Sequence, residues 1–228
     1  MKYTVGIDLG STTTKAVVLG EQGIVMGRGI TNSRSNYDTA CQIALGEALT
    51  NARFSLIASE LARAGVRPDA AARQVSALER RFRAEQYRSQ LRVLAIELRR
   101  FSGRLLTMSR EIAASVELIL AKMENEVDGL YAEGARRKSD FFRDLAGSRY
   151  LQLAEEQARA EGVAFDTLAS LFDKAILDVE NSSDAAGRFE DHARAAVRGW
   201  DGAAAALPAV VERIVALRLE QIGSAGTG

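Results

Sequence analysis

The sequence predicts an α/β amino-terminal part followed by a long all-α region, so that the chain is mostly helical overall. Residues 1–30 contain three short runs rich in β-branched and apolar side chains, which glycine-rich turns separate. From about Ala71 the chain is a run of Ala, Leu, Arg, Glu and Gln without a proline until Pro208. These residues favour helix because they lose little side-chain freedom in it.

The first 30 residues are predicted to form an antiparallel meander of three strands. Turn-like links at 8–12 and 20–23 join the strands in the manner of hairpins. A helix over 40–61 follows, with Asp38 or Thr39 as its cap and the segment 65–68 as its end. The predicted strands are Tyr3 to Leu9, Ala16 to Leu19, and a third run that begins at Gly23 and reaches Ile30.

The long all-α region carries a regular apolar stripe. Between Leu94 and Leu130, eleven apolar positions span 36 residues in ten steps, a mean spacing of 3.6 residues, which is the period of a straight α-helix. We therefore predict one helix from about 73 to 138, roughly 100 Å long at 1.5 Å per residue, in a projecting rod or hairpin. Further helices are predicted at about 140–160, 164–180, 185–199 and 207–222, with Gly134, Gly147 and Gly162 as interruptions.

Three parts follow from these patterns. Residues 1–62 form the α/β part, residues 63–222 form a helical insertion domain with a long rod-like helix, and residues 223–228 form a disordered tail. The tail has no side chains suited to core packing, so we expect it to be frayed.

Composition limits the classes of function. The 30 Lys and Arg residues balance 30 Asp and Glu residues, so nothing in the charge indicates a nucleic-acid partner or a membrane surface. A single cysteine, Cys41, excludes an internal disulfide and fits a reducing compartment. No stretch approaches the roughly 20 apolar residues of a membrane helix. We expect a cytoplasmic protein without nucleic-acid or membrane partners.

One segment, residues 6–15, combines the residue types that handle phosphate. Asp8 ends a strand and can orient a hydrated Mg²⁺ ion, and Gly10 lets the backbone approach a phosphate without a Cβ collision. Hydroxyl side chains then follow, with Lys15 as the positive charge. The order differs from a P-loop because this lysine enters a strand and does not open a helix. The predicted donors to phosphate are Ser11, Thr12 and Thr13, with Thr14 completing the hydroxyl run.

This segment resembles the first phosphate motif, Asp-x-Gly-Ser/Thr-x-x-x-Lys, of the superfamily that contains actin, the 70-kDa heat-shock proteins and sugar kinases. More narrowly, residues 6–17 and 29–41 are similar to the ATPase subunits of class I benzoyl-CoA reductase and to the activators of 2-hydroxyacyl-CoA dehydratases. The long helical insertion resembles the larger, A-type ATPase subunit of the reductase. The match covers about the first 55 residues, and the insertion matches by character only.

The resemblance implies that residues 1–62 are half of an actin-like ATPase fold and that the intact protein hydrolyses ATP with Mg²⁺. In this family two homologous ATPase subunits hold one [4Fe-4S] cluster between them. They pass electrons from ferredoxin to substrate-reducing subunits, which dearomatise benzoyl-CoA during anaerobic aromatic degradation. Asp8 would take the Mg²⁺ or attacking-water role, Gly10 to Thr13 would cradle the phosphates, and Lys15 would supply charge.

The chain also departs from the family pattern. We find no second Asp-x-Gly phosphate motif and no glycine-rich adenosine segment. The residues 144–148 echo the motif, but they lie among helix formers and are predicted to be a helix end. The cluster requires two cysteines from each subunit, whereas this chain has only Cys41, so no iron–sulfur ligand is assigned here. We therefore predict the N-terminal part of a longer subunit, inactive in ATP hydrolysis by itself.

Other interpretations stay open. The chain could be a helical interaction or assembly module whose sheet is only an anchor, an activator of a 2-hydroxyacyl-CoA dehydratase, or a carbohydrate or acyl kinase; the long insertion without a second kinase half disfavours the kinase. Cys41 is expected to be a small buried hydrophobe and His192 to have an ordinary surface or packing role. Nine arginines between Arg73 and Arg104 alternate with glutamates and predict a solvated helix face, or else a docking surface for acidic ferredoxin.

Overall fold

The computed structural model describes residues 1–33, 37–103, 110–181 and 188–227. The chain divides into two compact units, a sheet unit of residues 1–82 and 189–228 and a helical unit of residues 83–188. The elements, in chain order, are β1 (Lys2–Leu9), β2 (Thr13–Gly20), β3 (Val25–Asn32), α1 (Tyr37–Arg63), α2 (Pro68–Gly103), α3 (Arg110–Asn125), α4 (Val127–Leu130), α5 (Phe142–Glu161), α6 (Phe165–Asn181), α7 (Phe189–Val197), α8 (Leu207–Ala216) and β4 (Glu220–Thr227).

The protein is mostly helical, as the sequence predicts, and its small sheet is mixed where the sequence predicts an antiparallel one. The sheet has the strand order β3-β2-β1-β4. Strands β1, β2 and β3 form the predicted antiparallel meander, in which Val5 is paired with Val18 and Ala16 with Gly29. Helix α1 begins three residues earlier than the predicted Ala40, and Gly65, at φ 83°, follows its end.

Strand β4 overturns the prediction of a frayed tail and of a helix that reaches residue 222. Helix α8 ends at Ala216, and the following residues run parallel to β1. The Glu220 N–H donates to the Met1 carbonyl at 2.9 Å, and the terminal amino group of Met1 donates to the Arg218 carbonyl at 2.9 Å. Main-chain hydrogen bonds hold this strand, so it needs no apolar side chains; Ile222 is 56% exposed.

Helix α1 lies unusually close to β3. A Cβ atom on Gly27 would stand 2.1 Å from the Ala48 carbonyl oxygen, and one on Gly29 would stand 2.0 Å from the Ala44 carbonyl oxygen. Only glycine permits this approach, because heavy atoms in contact stay about 3.5 Å apart. The helix presents a matching stripe of small side chains at every fourth position, all fully buried: Ala40, Ala44, Ala48 and Ala52.

A second core of the sheet unit is rich in aromatic rings. The Phe82 ring lies edge-on to Phe54 with centroids 5.3 Å apart, and its centroid is 5.2 Å from that of Phe189. His192 is 5% exposed and packs edge-on against Phe82, which places it in the packing role. Phe82 and Phe189 are the residues at which the chain leaves and re-enters the sheet unit. The helical unit is therefore an insertion between two neighbouring points of the sheet unit.

The observed boundaries differ from those predicted. Residues 63–82 and 189–222, which we assigned to the helical domain, belong to the sheet unit. The physical reason is a shared apolar core, in which Phe54, Ile57 and Leu61 of α1 pack with side chains of α8. The α8 side chains of this core are Leu207, Val210, Val211, Ile214 and Val215.

The prediction of a single helix from about 73 to 138 is wrong. Helix α2 ends at Gly103, and α3 runs antiparallel to it. Arg99 and Glu117 are joined by two hydrogen bonds of 2.7 Å, and Arg88 binds Glu124 further from the α2 terminus. Both helices bury the same 3.6-residue stripe, so the spacing alone cannot reveal that they are two antiparallel helices. The predicted stripe positions Leu105 and Met108, with Arg104, lie outside the described residues.

The remaining helical unit follows the predicted order. Helices α5 and α6 match the predicted helices closely, and Gly162 ends α5 at φ 67° in the left-handed region. Gly147 does not interrupt α5 as predicted; it lies against Phe172, where a Cβ atom would be 3.3 Å from the ring. The motif echo at 144–148 is thus a helical segment inside the first half of α5.

We expect Gly29→Ala to destabilise the sheet unit by roughly 1–3 kcal/mol, because the new methyl group would overlap the α1 backbone. The measurement is the urea unfolding midpoint of the full chain. Gly46→Ala is the matched control: Gly46 lies on the exposed side of α1 with open space around it. This change should stabilise the helix by up to about 1 kcal/mol. Equal midpoints for both variants would contradict the close packing of α1 on β3.

Candidate functional site

The β1–β2 turn, residues 10–12, requires glycine at its first position. The Gly10 N–H donates to the Thr13 carbonyl at 3.1 Å. A Cβ atom on Gly10 would lie 2.7 Å from the same carbonyl oxygen, closer than real Cβ contacts allow. The sequence predicts that Gly10 admits a phosphate, and the turn itself also has no room for a side chain at this position.

Ser33, directly after β3, holds this turn in place through hydrogen bonds. Its hydroxyl donates to the Gly10 carbonyl at 2.5 Å, and its N–H donates to the Thr12 carbonyl at 2.8 Å. The Thr14 and Ser33 hydroxyl oxygens are 3.1 Å apart, and because the Ser33 proton goes to Gly10, the Thr14 hydroxyl donates this hydrogen bond to Ser33. Sequence reasoning missed Ser33, although the β2–β3 register pairs Thr13 with Asn32 and so brings the next residue beside the turn.

The hydroxyl run divides into two roles. The Thr14 side chain is fully buried and serves the turn, as its bond to Ser33 indicates. Ser11 and Thr12 are exposed and Thr13 is half-buried. The residues predicted to donate to phosphate are therefore those that solvent reaches.

Asp8 and Lys15 face each other across the β1–β2 ladder. They are register partners, and a carboxylate oxygen of Asp8 lies 3.7 Å from the Lys15 ammonium nitrogen. Since Ala16 and Val18 point into the core with α1, alternation along β2 places Lys15 on the other side of the sheet. The side chains are 54% and 58% exposed. An ion pair this exposed contributes little to stability.

A cavity of about 630 Å³ adjoins this pair. Asp8 and Lys15 line it, together with Arg28 of β3 and residues of β4 and α1. The turn residues 10–13 are not among its lining, so the structure joins the strand part of the predicted site to the cavity and leaves the turn beside it. Strand β4 contributes Ala225 and Gly226, which belong to the segment predicted to be a disordered tail.

Two groups implied by the resemblance can be tested against these residues. Asp8 is a single carboxylate, and no group of three His, Cys, Asp or Glu side chains suited to a metal occurs among the described residues. That fits Mg²⁺ held through water and phosphate oxygens, which is the usual habit of this ion. An iron–sulfur cluster does not fit, because Cys41 in α1 is the sole cysteine of the sequence.

No protein-family model, curated protein or solved structure matches the chain. The resemblance of residues 6–17 and 29–41 to the reductase ATPases therefore stays a prediction. Within the described parts of the chain, no helix is both long and apolar enough to cross a membrane.

We expect Ser33→Ala to lower the free energy of unfolding by about 1–3 kcal/mol, because it removes the donor to the Gly10 carbonyl and the partner of the buried Thr14 hydroxyl. Amide hydrogen exchange should also accelerate in the β1–β2 turn. Ser11→Ala is the control, since the exposed Ser11 hydroxyl should change stability by less than about 0.5 kcal/mol. If the two variants unfold at the same midpoint, Ser33 does not fix the turn.

Proposed function

We propose that the β1–β2 turn and the Asp8–Lys15 pair bind the phosphates of ATP, and that this chain is part of an ATP-hydrolysing, electron-activating subunit of the benzoyl-CoA reductase type. The observation that carries the proposal is one juxtaposition. A rigid turn with exposed hydroxyls adjoins a carboxylate and a lysine that face each other across two strands.

The charges of this pair suit a nucleotide with its metal ion. A triphosphate needs positive charge, and Mg²⁺ needs an oxygen ligand or a carboxylate that orders its water. Lys15 and Asp8 supply these opposite requirements from adjacent positions. Their mutual attraction is weak because both side chains are more than half exposed. Redirecting Lys15 toward a phosphate therefore costs little.

The β1–β2 turn holds its phosphate-binding donors in a fixed orientation. Gly10 keeps its surface free of a side chain, and Ser33 holds two of its carbonyls, so the turn does not have to be ordered when a ligand arrives. Preorganised donors are worth more to binding than donors that must first be fixed. In the proposed complex the Ser11 and Thr12 hydroxyls donate to phosphate oxygens, and Asp8 holds a water of the Mg²⁺ shell. Mg²⁺ would neutralise phosphate charge when bound.

The electron-transfer part of the proposal concerns the assembled complex. Its [4Fe-4S] ligands are not in this chain, and the homologous ATPase subunit, the substrate-reducing subunits and ferredoxin are proposed partners. The cytoplasmic location and an actin-like half-fold for the α/β part are proposed on the same grounds. The meander with α1 across one face is compatible with that half-fold.

A non-catalytic assembly module is the second candidate, and the separate core of the helical unit favours it. The arginines of α2 give less support to a docking surface for ferredoxin. Arg88, Arg99 and Arg100 are engaged with acidic residues of α3, α4 and α6 within the helical unit. These arginines stabilise helix contacts, so an acidic partner would have to compete for them.

The test is a titration of the ¹⁵N-labelled chain with Mg·ATP, followed by amide chemical shifts. We expect saturable shifts at residues 10–13 and 15, and Lys15→Ala should weaken binding about tenfold, the equivalent of roughly 1.4 kcal/mol. Lys2→Ala is the control, an exposed lysine at the opposite end of β1. Shifts located away from the turn, or equal affinity in both variants, would refute the phosphate site.

A further inference from the structure

The helical unit contains a cavity of its own, of about 350 Å³. It lies where α2, α3, α4 and α5 meet, and the loop after α4 closes one side. This volume is within the range of cavities that hold small molecules. All of its lining residues belong to the helical unit, so the cavity is independent of the phosphate site.

Most of the cavity wall is apolar. Tyr87, Met123, Leu130 and Leu145 contribute to it. Tyr87 is 4% exposed and lies in a ring cluster with Tyr131 and Phe142. Burial raises the pKa of the Tyr87 hydroxyl. The side chain therefore stays neutral near pH 7 and keeps its O–H as a donor.

The charged side chains among the described lining residues carry a net positive charge. Arg149 and Glu126 form a two-fold hydrogen-bonded pair with distances of 2.7 and 2.6 Å, which also lowers the pKa of the Glu126 carboxyl. The positive charge of Arg149 is therefore balanced by the negative charge of Glu126. Arg136 is the third charged residue of the lining, is exposed, and makes no ion pair with any described residue. Among the described residues, the lining thus combines an apolar interior with one uncompensated cation, Arg136.

We infer that this cavity binds a small amphipathic monoanion, a carboxylate on a short apolar chain or ring, with its charge at Arg136 and its apolar body against Met123 and Leu130. The guanidinium of arginine binds a carboxylate through two parallel hydrogen bonds, which sets the orientation of the ligand. An apolar body gains from leaving water in proportion to the area it buries. Neither the arginine–carboxylate contact nor the burial of the apolar body depends on ATP binding at the phosphate site.

Gly129 offers a way to close the cavity without disturbing the core. It lines the cavity in α4, and a Cβ atom at this position would meet nothing within 4 Å. A larger side chain there would begin without a steric clash at its Cβ atom. Gly129→Trp should therefore fill the cavity while the thermal unfolding midpoint stays close to that of the parent chain.

The test uses octanoate as the probe and 1-octanol as its neutral counterpart, with methionine methyl groups labelled with ¹³C. Of the methionines that the structure describes, Met1, Met26 and Met123, only Met123 lines the cavity. Octanoate should shift the Met123 signal saturably with one site per chain. Arg136→Gln should weaken octanoate binding about tenfold and leave octanol binding within about twofold. Gly129→Trp should abolish the Met123 shift for both probes.

Lys138→Gln is the control, an exposed cation in the same loop that does not line the cavity. It should leave octanoate binding unchanged. The inference is overturned if Met123 shows no saturable shift, if Arg136→Gln and Lys138→Gln weaken octanoate binding equally, or if Gly129→Trp folds normally and still binds the probe.

Discussion

The closeness of α1 to β3 is the constraint on which the sheet unit depends. Gly27 and Gly29 remove the side chains that would hold the helix away, and the alanines of α1 fill the gap with the smallest possible groups. The helix therefore fixes the β3 backbone. Since Ser33 follows β3 directly and binds two carbonyls of the β1–β2 turn, the position of β3 also determines the shape of that turn. A packing contact thus orders the candidate phosphate site from the other side of the sheet.

The helical unit is stabilised differently. Its core is a continuous apolar cluster from α2, α3, α5 and α6, and ion pairs at its surface join one helix to another. Arg99 pairs with Glu117 and Arg149 with Glu126, and in both cases the hydrogen-bonded guanidinium lowers the pKa of the glutamate. Exposed pairs of this kind each add little. Burial of the apolar stripes supplies most of the stability, and the pairs favour one alignment of the helices.

The sequence was informative where side chains determine structure. The meander, α1, α5 and α6 all follow from apolar spacing, caps and glycine turns. The sequence did not predict the elements that depend on main-chain hydrogen bonds or on a reversal of chain direction. Strand β4 is held by its ladder with β1, which leaves no apolar pattern, and both arms of the α2–α3 pair carry one uninterrupted period.

Of the candidate site, Asp8, Gly10 and Lys15 were identifiable from residue type, whereas Ser33 depends on strand register. The Arg136 cavity has no sequence signal, because its lining is scattered over 63 positions from Tyr87 to Arg149.

The most direct test of this account is the distance between α1 and β3 in solution, measured by nuclear Overhauser effects on the ¹³C- and ¹⁵N-labelled chain. Because a Cβ atom on Gly29 would stand 2.6 Å from the Ala48 nitrogen, the Gly29 α-protons should give strong cross-peaks to the Ala48 amide proton. Absence of these cross-peaks in a folded chain would mean that the helix does not rest on the strand, and the account of the turn behind it would then be wrong.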